Sequence, residues 1–211
     1  MGPVQDRQVP LDVFVGRAAE LAQVTEVLTR VQAGQPWLVA IEGEPGMGKT
    51  ALARRCLAQA TGLTVLPARA DQAEADLDFG LVDQLLRAAG GGLGPVLPAD
   101  GATPGSSSFA VGARLLEVVG GPQATGVLAV LVDDLQWADR KSVEALTFML
   151  RRLSVDPVLA VVIYRGPASR LDEAARRLLR SIENRVRIPA GRAGPGGRRG
   201  AGRHADGGAA G

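Results

Sequence analysis

Eight consecutive residues carry the most specific chemistry in the sequence: Gly43-Glu44-Pro45-Gly46-Met47-Gly48-Lys49-Thr50, which fits the spacing G-x-x-x-x-G-K-[ST]. Each residue type has a physical reason. Gly43, Gly46 and Gly48 allow backbone conformations closed to other residues, so that successive N–H groups can turn inward around phosphate oxygens. A helix starting near Lys49 and running on through Ala51 adds the positive end of its dipole. Lys49 supplies a mobile charge for β- and γ-phosphates, and the Thr50 hydroxyl a ligand for Mg²⁺. A plain glycine turn would explain the glycines but not the Lys-Thr pair directly after them. The expected ligands are therefore a nucleoside triphosphate and Mg²⁺.

A second constellation lies downstream, where the apolar run Val127–Val132 ends in Asp133-Asp134. A carboxylate at the carboxyl edge of a parallel sheet can face a metal held by a phosphate loop. Asp133 is expected to hold Mg²⁺, directly or through water. Asp134, pointing the other way, is a candidate general base for the attacking water. The competing reading is two carboxylates that end a strand and open a turn. Aspartate is also shorter than the glutamate often found at such a place, which favours binding over efficient turnover. Asp139 is expected to cap the helix that begins at Arg140.

The elements that must position these groups follow from periodicity. Short apolar or β-branched runs predict strands at 37–41, 63–66, 127–132, 158–164 and 186–188. Helical spacing predicts helices over 17–33, 50–59, 79–86, 109–119, 140–153 and 170–183. Strands alternating with helices imply an α/β fold, a P-loop NTPase three-layer sandwich around a mostly parallel sheet of about five strands. The core is expected over 13–189, after a flexible N-terminus at 1–12. Gly90 to Ser108 is rich in Gly, Pro and Ser and is expected to be a loop. Residues 190–211 include nine glycines and no apolar period, which predicts a disordered Gly/Arg-rich tail. A basic arm for nucleic acid and a shifted GC-rich reading frame are two other readings of that composition.

Charge and composition exclude some classes. The net charge of +2 conceals six arginines and one aspartate in 185–211, leaving 18 basic against 21 acidic residues in 1–184. The core is thus mildly acidic, and with 3% aromatic residues it offers no base-stacking platform. No apolar run is long enough to span a bilayer, and the first residues lack the basic-then-apolar order of a signal peptide. The single cysteine, Cys56, cannot form an internal disulfide and is expected to be a buried, inert thiol. A cytoplasmic location without membrane contact is the expectation.

Three further strings resemble a known family. Phe14-Val15-Gly16-Arg17 with Glu20-Leu21 looks like the hhGR-x-x-E motif of the AAA+-related signal-transduction ATPases called STAND. Leu131-Val132-Asp133-Asp134-Leu135-Gln136-Trp137-Ala138-Asp139 is similar to the V-D-D-L-H/Q-W-A-D string of the ATPase domain in large LuxR-type transcriptional regulators. Val162-Ile163-Tyr164-Arg165 resembles that family's strand with a terminal arginine. The resemblance implies an adenine site at the backbone of Val13 to Val15, with Gly16 and Arg17 beside it, and a sensor role for Arg165 at the γ-phosphate. The bland alternatives are an exposed helix-start arginine at 17 and a solvated strand-end charge at 165. The helical lid, long sensor array and helix-turn-helix of such regulators are not found in this sequence. Open nucleotide binding, slow turnover and no DNA binding are therefore expected, with a protein partner or self-association left open. Three functions fit: a slow signalling ATPase, a non-hydrolysing nucleotide-dependent interaction module, or an inactive truncated fragment of a larger regulator.

Overall fold

The computed structural model describes residues 17–91, 107–120 and 126–191. The expectations placed on 1–16, on most of the Gly90–Ser108 stretch and on 192–211 lie outside these residues, Val15 and Gly16 included. In chain order the elements are α1 (Ala18–Gln32), β1 (Trp37–Gly43), α2 (Lys49–Ala58), β2 (Leu63–Arg69), α3 (Gly80–Ala88) and α4 (Ser108–Val119). Then come β3 (Val127–Asp133), α5 (Arg140–Leu150), β4 (Val158–Arg165), α6 (Glu173–Leu179) and β5 (Arg185–Pro189). Five parallel strands form one sheet in the order β2-β3-β4-β1-β5.

Successive side chains of a strand point to opposite faces, and each face here packs its own helices. Val39, Ile41, Ala129, Leu131, Leu159, Val161 and Ile163 join Val24, Val27 and Leu52 of α1 and α2 in one core. Leu38, Ala40, Val130, Val132, Ala160 and Val162 join residues of α3, α4, α5 and α6 in the other. Every residue of β3 is buried, as is all of β4 except Arg165, because helices cover both faces of these central strands. The three layers of an α/β sandwich follow directly.

Parallel register brings the strand ends to a common edge. Gly43 of β1 lies opposite Arg165 of β4, and Asp133 of β3 opposite Arg69 of β2. Because β4 stands between β1 and β3, its terminal arginine falls between the phosphate loop and the acidic pair.

Several elements differ from the sequence expectation at their ends: α5 stops at Leu150, three residues short, β1 runs on to Gly43, and β2 and α6 differ for reasons that can be named. β2 continues through Pro67 to Arg69, three residues beyond the predicted stop. It is an edge strand, where a residue without an N–H is tolerated. The predicted helix over 170–183 is only Glu173–Leu179, because Asp172 caps it from outside, accepting from the Ala175 N–H at 2.7 Å. Among the described residues no helix is long and apolar enough to cross a membrane.

Candidate functional site

The loop between β1 and α2 is held open by its glycines. Gly46 and Gly48 have φ of 78° and 67°, a region that disfavours side chains, and a Cβ on either would meet no atom within 4 Å. The space above them is an open cradle rather than packed protein. Gly43 is needed for a different reason: a Cβ there would come within 2.5 Å of the Ala190 carbonyl oxygen. α2 begins at Lys49 with Gly48 as its N-cap and no side-chain capping bond. Its first amides and its dipole therefore face the cradle, as an anion site requires.

Lys49 curls back over the loop, its ammonium donating to the Gly43 carbonyl at 2.8 Å and the Glu44 carbonyl at 2.9 Å. Burial pushes its pKa down, against the opposing pull of Asp134, while the Arg165 charge lowers it further. A desolvated ammonium held at the loop by two carbonyls is matched to a multiply charged anion.

Thr50 ties the two halves of the site together. Its hydroxyl donates to the Asp133 carboxylate at 2.8 Å, linking the phosphate loop to the end of β3. Asp133 is buried, and its other oxygen accepts from the Asp134 N–H at 3.0 Å. Among the described residues no group of three or more His, Cys, Asp or Glu side chains is arranged to enclose a metal. The hydroxyl–carboxylate pair instead suits Mg²⁺, which keeps waters and shares phosphate oxygens rather than occupying an all-protein cage.

Asp134 occupies the left-handed region at φ 58°, a conformation that aspartate tolerates better than most residues. That turn swings its side chain away from Thr50 and into a basic clamp. One carboxylate oxygen accepts from Arg165 at 3.0 Å and from the Gln136 amide at 2.9 Å, and the other from Arg69 at 3.2 Å. Burial pushes its pKa up, but the bonds from Gln136 and Arg165 and the charges of Arg165 and Arg69 outweigh this and leave it below the usual carboxylate value. Arg165 is half-exposed but not a free surface charge, since its side chain is paired with Asp134 and its backbone N–H donates to the Gln136 side chain at 3.1 Å.

Arg17 is not the exposed helix-start arginine of the bland alternative. It is 6% exposed, its guanidinium donates to the Met47 carbonyl and, at 3.4 Å, to the Gly191 carbonyl, and its second terminal nitrogen is buried with no partner among the described residues. It thereby braces the phosphate loop against the chain leaving β5. Between these two segments lies a cavity of about 310 Å³ lined by Gly43, Met47, Pro167, Pro189, Ala190 and Gly191, among others.

Asp139 behaves as a cap, and more. Its carboxylate accepts from the Ser142 N–H at 2.8 Å, and also from Phe79 at 2.8 Å and Leu81 at 3.3 Å, so it joins the starts of α5 and α3. The specific string 131–139 thus divides its labour. Asp133, Asp134 and Gln136 build the site, while Leu135, Trp137 and Asp139 anchor it to the core. Cys56 is buried and desolvation raises its pKa to about 11, as expected of an inert thiol. Sequence reasoning missed Arg69, hidden behind Pro67, and Gln136, which shows only as a variable member of the string.

No curated protein matches the chain. Solved structures do. The ORC1 protein of Aeropyrum pernix, in complex with DNA, aligns with 22% identity and a TM-score of 0.61 over 89% of this chain and 48% of its own. The ORC2 protein of Aeropyrum pernix, in ADPNP and ADP complexes, aligns with 17% identity and a TM-score of 0.55 over 88% of this chain and 50% of its own. Cdc6p of Pyrobaculum aerophilum has 17% identity and a TM-score of 0.57 over 87% and 48%. The chain spans about half the length of these proteins, and at such identities the likeness shows the fold, that of P-loop NTPases. The expectation of no DNA binding gains no support from them, one having been solved on DNA. The sequence profile of the AAA ATPase domain matches residues 13–163, well over half of the chain, which therefore belongs to that family.

Proposed function

We propose that the chain binds Mg·ATP at the 43–50 loop and acts as a slowly hydrolysing signalling ATPase domain of the STAND class, as in large LuxR-type regulators. The observation that carries the reading is the 2.8 Å bond between Thr50 and Asp133, which joins the open cradle and the acidic strand end in one site with Lys49 alongside. Gly43 to Ala51 would hold the phosphates through backbone amides and the Lys49 charge. Thr50 and Asp133 would hold Mg²⁺, which when bound neutralises charge developing on the phosphates. The cavity bounded by Met47, Pro189 and Ala190 is mainly apolar, with Glu42 and Glu44 in its lining, and large enough for a base, and Arg17, holding two of its edges, supports the adenine site that the resemblance implies near Val15 and Gly16.

Hydrolysis would need Asp134 as base and Arg165 as the arginine nearest the γ-phosphate. In the present geometry each neutralises the other, and a carboxylate with a depressed pKa is a weak proton acceptor. That specific arrangement favours slow turnover, and it also gives weight to a second reading, a module in which bound nucleotide sets a surface for a protein partner. Single-turnover assays with radiolabelled ATP separate the two. Mg²⁺-dependent release of phosphate supports the ATPase, intact bound ATP over hours supports the module, and absence of ATP binding contradicts both.

A further inference from the structure

A second concave site lies away from the phosphate loop, between α6, the 3-10 turn at Ala168–Arg170 and the outer strands β1 and β5. It has a volume of about 360 Å³, with an apolar floor that includes Leu38, Ala40 and Leu179 and a rim of Arg180, Arg185 and Arg187. β5 explains why. Ile188 packs into the α1–α2 core, so alternation turns Arg185 and Arg187 to the opposite face, where Leu38 and Ala40 of β1 also point. A parallel strand covered by a helix carries apolar residues on both faces. Here the face beside the apolar floor is basic instead.

The basic charge is in excess. Residues 168–189 hold six arginines against three carboxylates, within a core that is otherwise acidic. Glu173 alone serves Arg176, Arg177 and Arg180, Arg187 reaches Glu42 only at 3.5 Å, and Arg185 donates to the backbone carbonyl of Ile182. We infer that this groove docks an acidic amphipathic segment of a protein partner, its carboxylates on Arg180, Arg185 and Arg187 and an aliphatic side chain on the floor. Charge complementarity selects the class of occupant. Nucleic acid fits less well, because the aromatic ring in the lining, Tyr164, is wholly buried and gives its hydroxyl to Glu42, leaving no ring for a base to stack on.

The full chain tests this without nucleotide, by fluorescence anisotropy with a labelled amphipathic peptide built from Glu, Ala and Leu. Saturable binding is expected, weakened at least about tenfold in R180E/R185E, whose side chains are exposed and whose thermal unfolding should stay near that of the parent. The same peptide with Ser in place of Leu should bind about tenfold more weakly, as loss of a buried aliphatic side chain implies. The version with Lys in place of Glu should not bind. Lys49→Ala should leave peptide binding unchanged, so failure of the nucleotide reading is distinguishable. No saturation up to about 1 mM, the weak limit of specific recognition, overturns the inference. So does equal affinity in the charge-reversed chain, or a DNA duplex that binds in the peptide's place and is lost in that chain.

Discussion

Replacing Thr50 with Val keeps the shape of the residue and deletes only the hydroxyl. The Asp133 carboxylate then loses a 2.8 Å donor and keeps the Asp134 N–H at 3.0 Å. A hydrogen bond to a charged group is worth about 1.5–3 kcal/mol, and Thr50 is only half-buried, so water can recover part of it and a net loss of about 1–2 kcal/mol is expected. For a chain of this size that lowers Tm by about 2–8 °C. The functional effect should be larger and of a distinctive kind. Without the hydroxyl, the gain in ATP affinity produced by Mg²⁺ should shrink by about tenfold or more, the equivalent of one lost contact of about 1.4 kcal/mol, while metal-free ATP binding stays unchanged. Thr50→Ser should restore both. Titration of labelled ATP with and without Mg²⁺ is the assay. A Thr50→Val chain that still responds fully to Mg²⁺ would refute the placement of the metal between Thr50 and Asp133.

Asp139→Ala should cost about 3 kcal/mol or more in urea unfolding, since three backbone amides lose a buried charged acceptor, with ATP affinity of the folded protein little changed. Gly48→Ala should cost about 1–2 kcal/mol from the left-handed backbone at φ 67° and also weaken ATP binding, because its methyl enters the open cradle; calorimetry reads both. The Asp134 pKa is depressed on folding, so its contribution to stability is complete above the ordinary value of 3.8 and fades as pH falls through the lowered one. Arg69→Ala should lessen that acid-side loss and speed single-turnover hydrolysis, and an unchanged pH profile would count against the clamp. Cys56 should resist a thiol reagent at neutral pH until the protein unfolds, given a pKa near 11.

How much was legible in the sequence follows from where each signal is local. The cradle could be read directly, because the need for glycine at 46 and 48 and for a lysine after them is met within eight residues. The central strands were equally plain, since β3 and β4 are buried on both faces and must be continuously apolar. Less visible was everything set by register between distant segments. Arg69 reaches Asp134 only because β2 pairs with β3 and runs on past Pro67, and Arg17 is buried only because β5 ends beside Met47. The clamp on Asp134 also depends on a backbone turn at φ 58° that no residue pattern announces. Asp139 reads as a cap in the sequence, but its bonds to Phe79 and Leu81 span 60 and 58 residues.

The central claim is that the 43–50 loop holds the phosphates of ATP. Isothermal titration of ATP into the parent chain and into Lys49→Ala, both with Mg²⁺, tests it most directly. The expected result is saturable binding by the parent and at least about a tenfold loss in the variant, as removal of a desolvated charge from a phosphate contact implies. Equal affinity in the two chains, with both folded by circular dichroism, would contradict it.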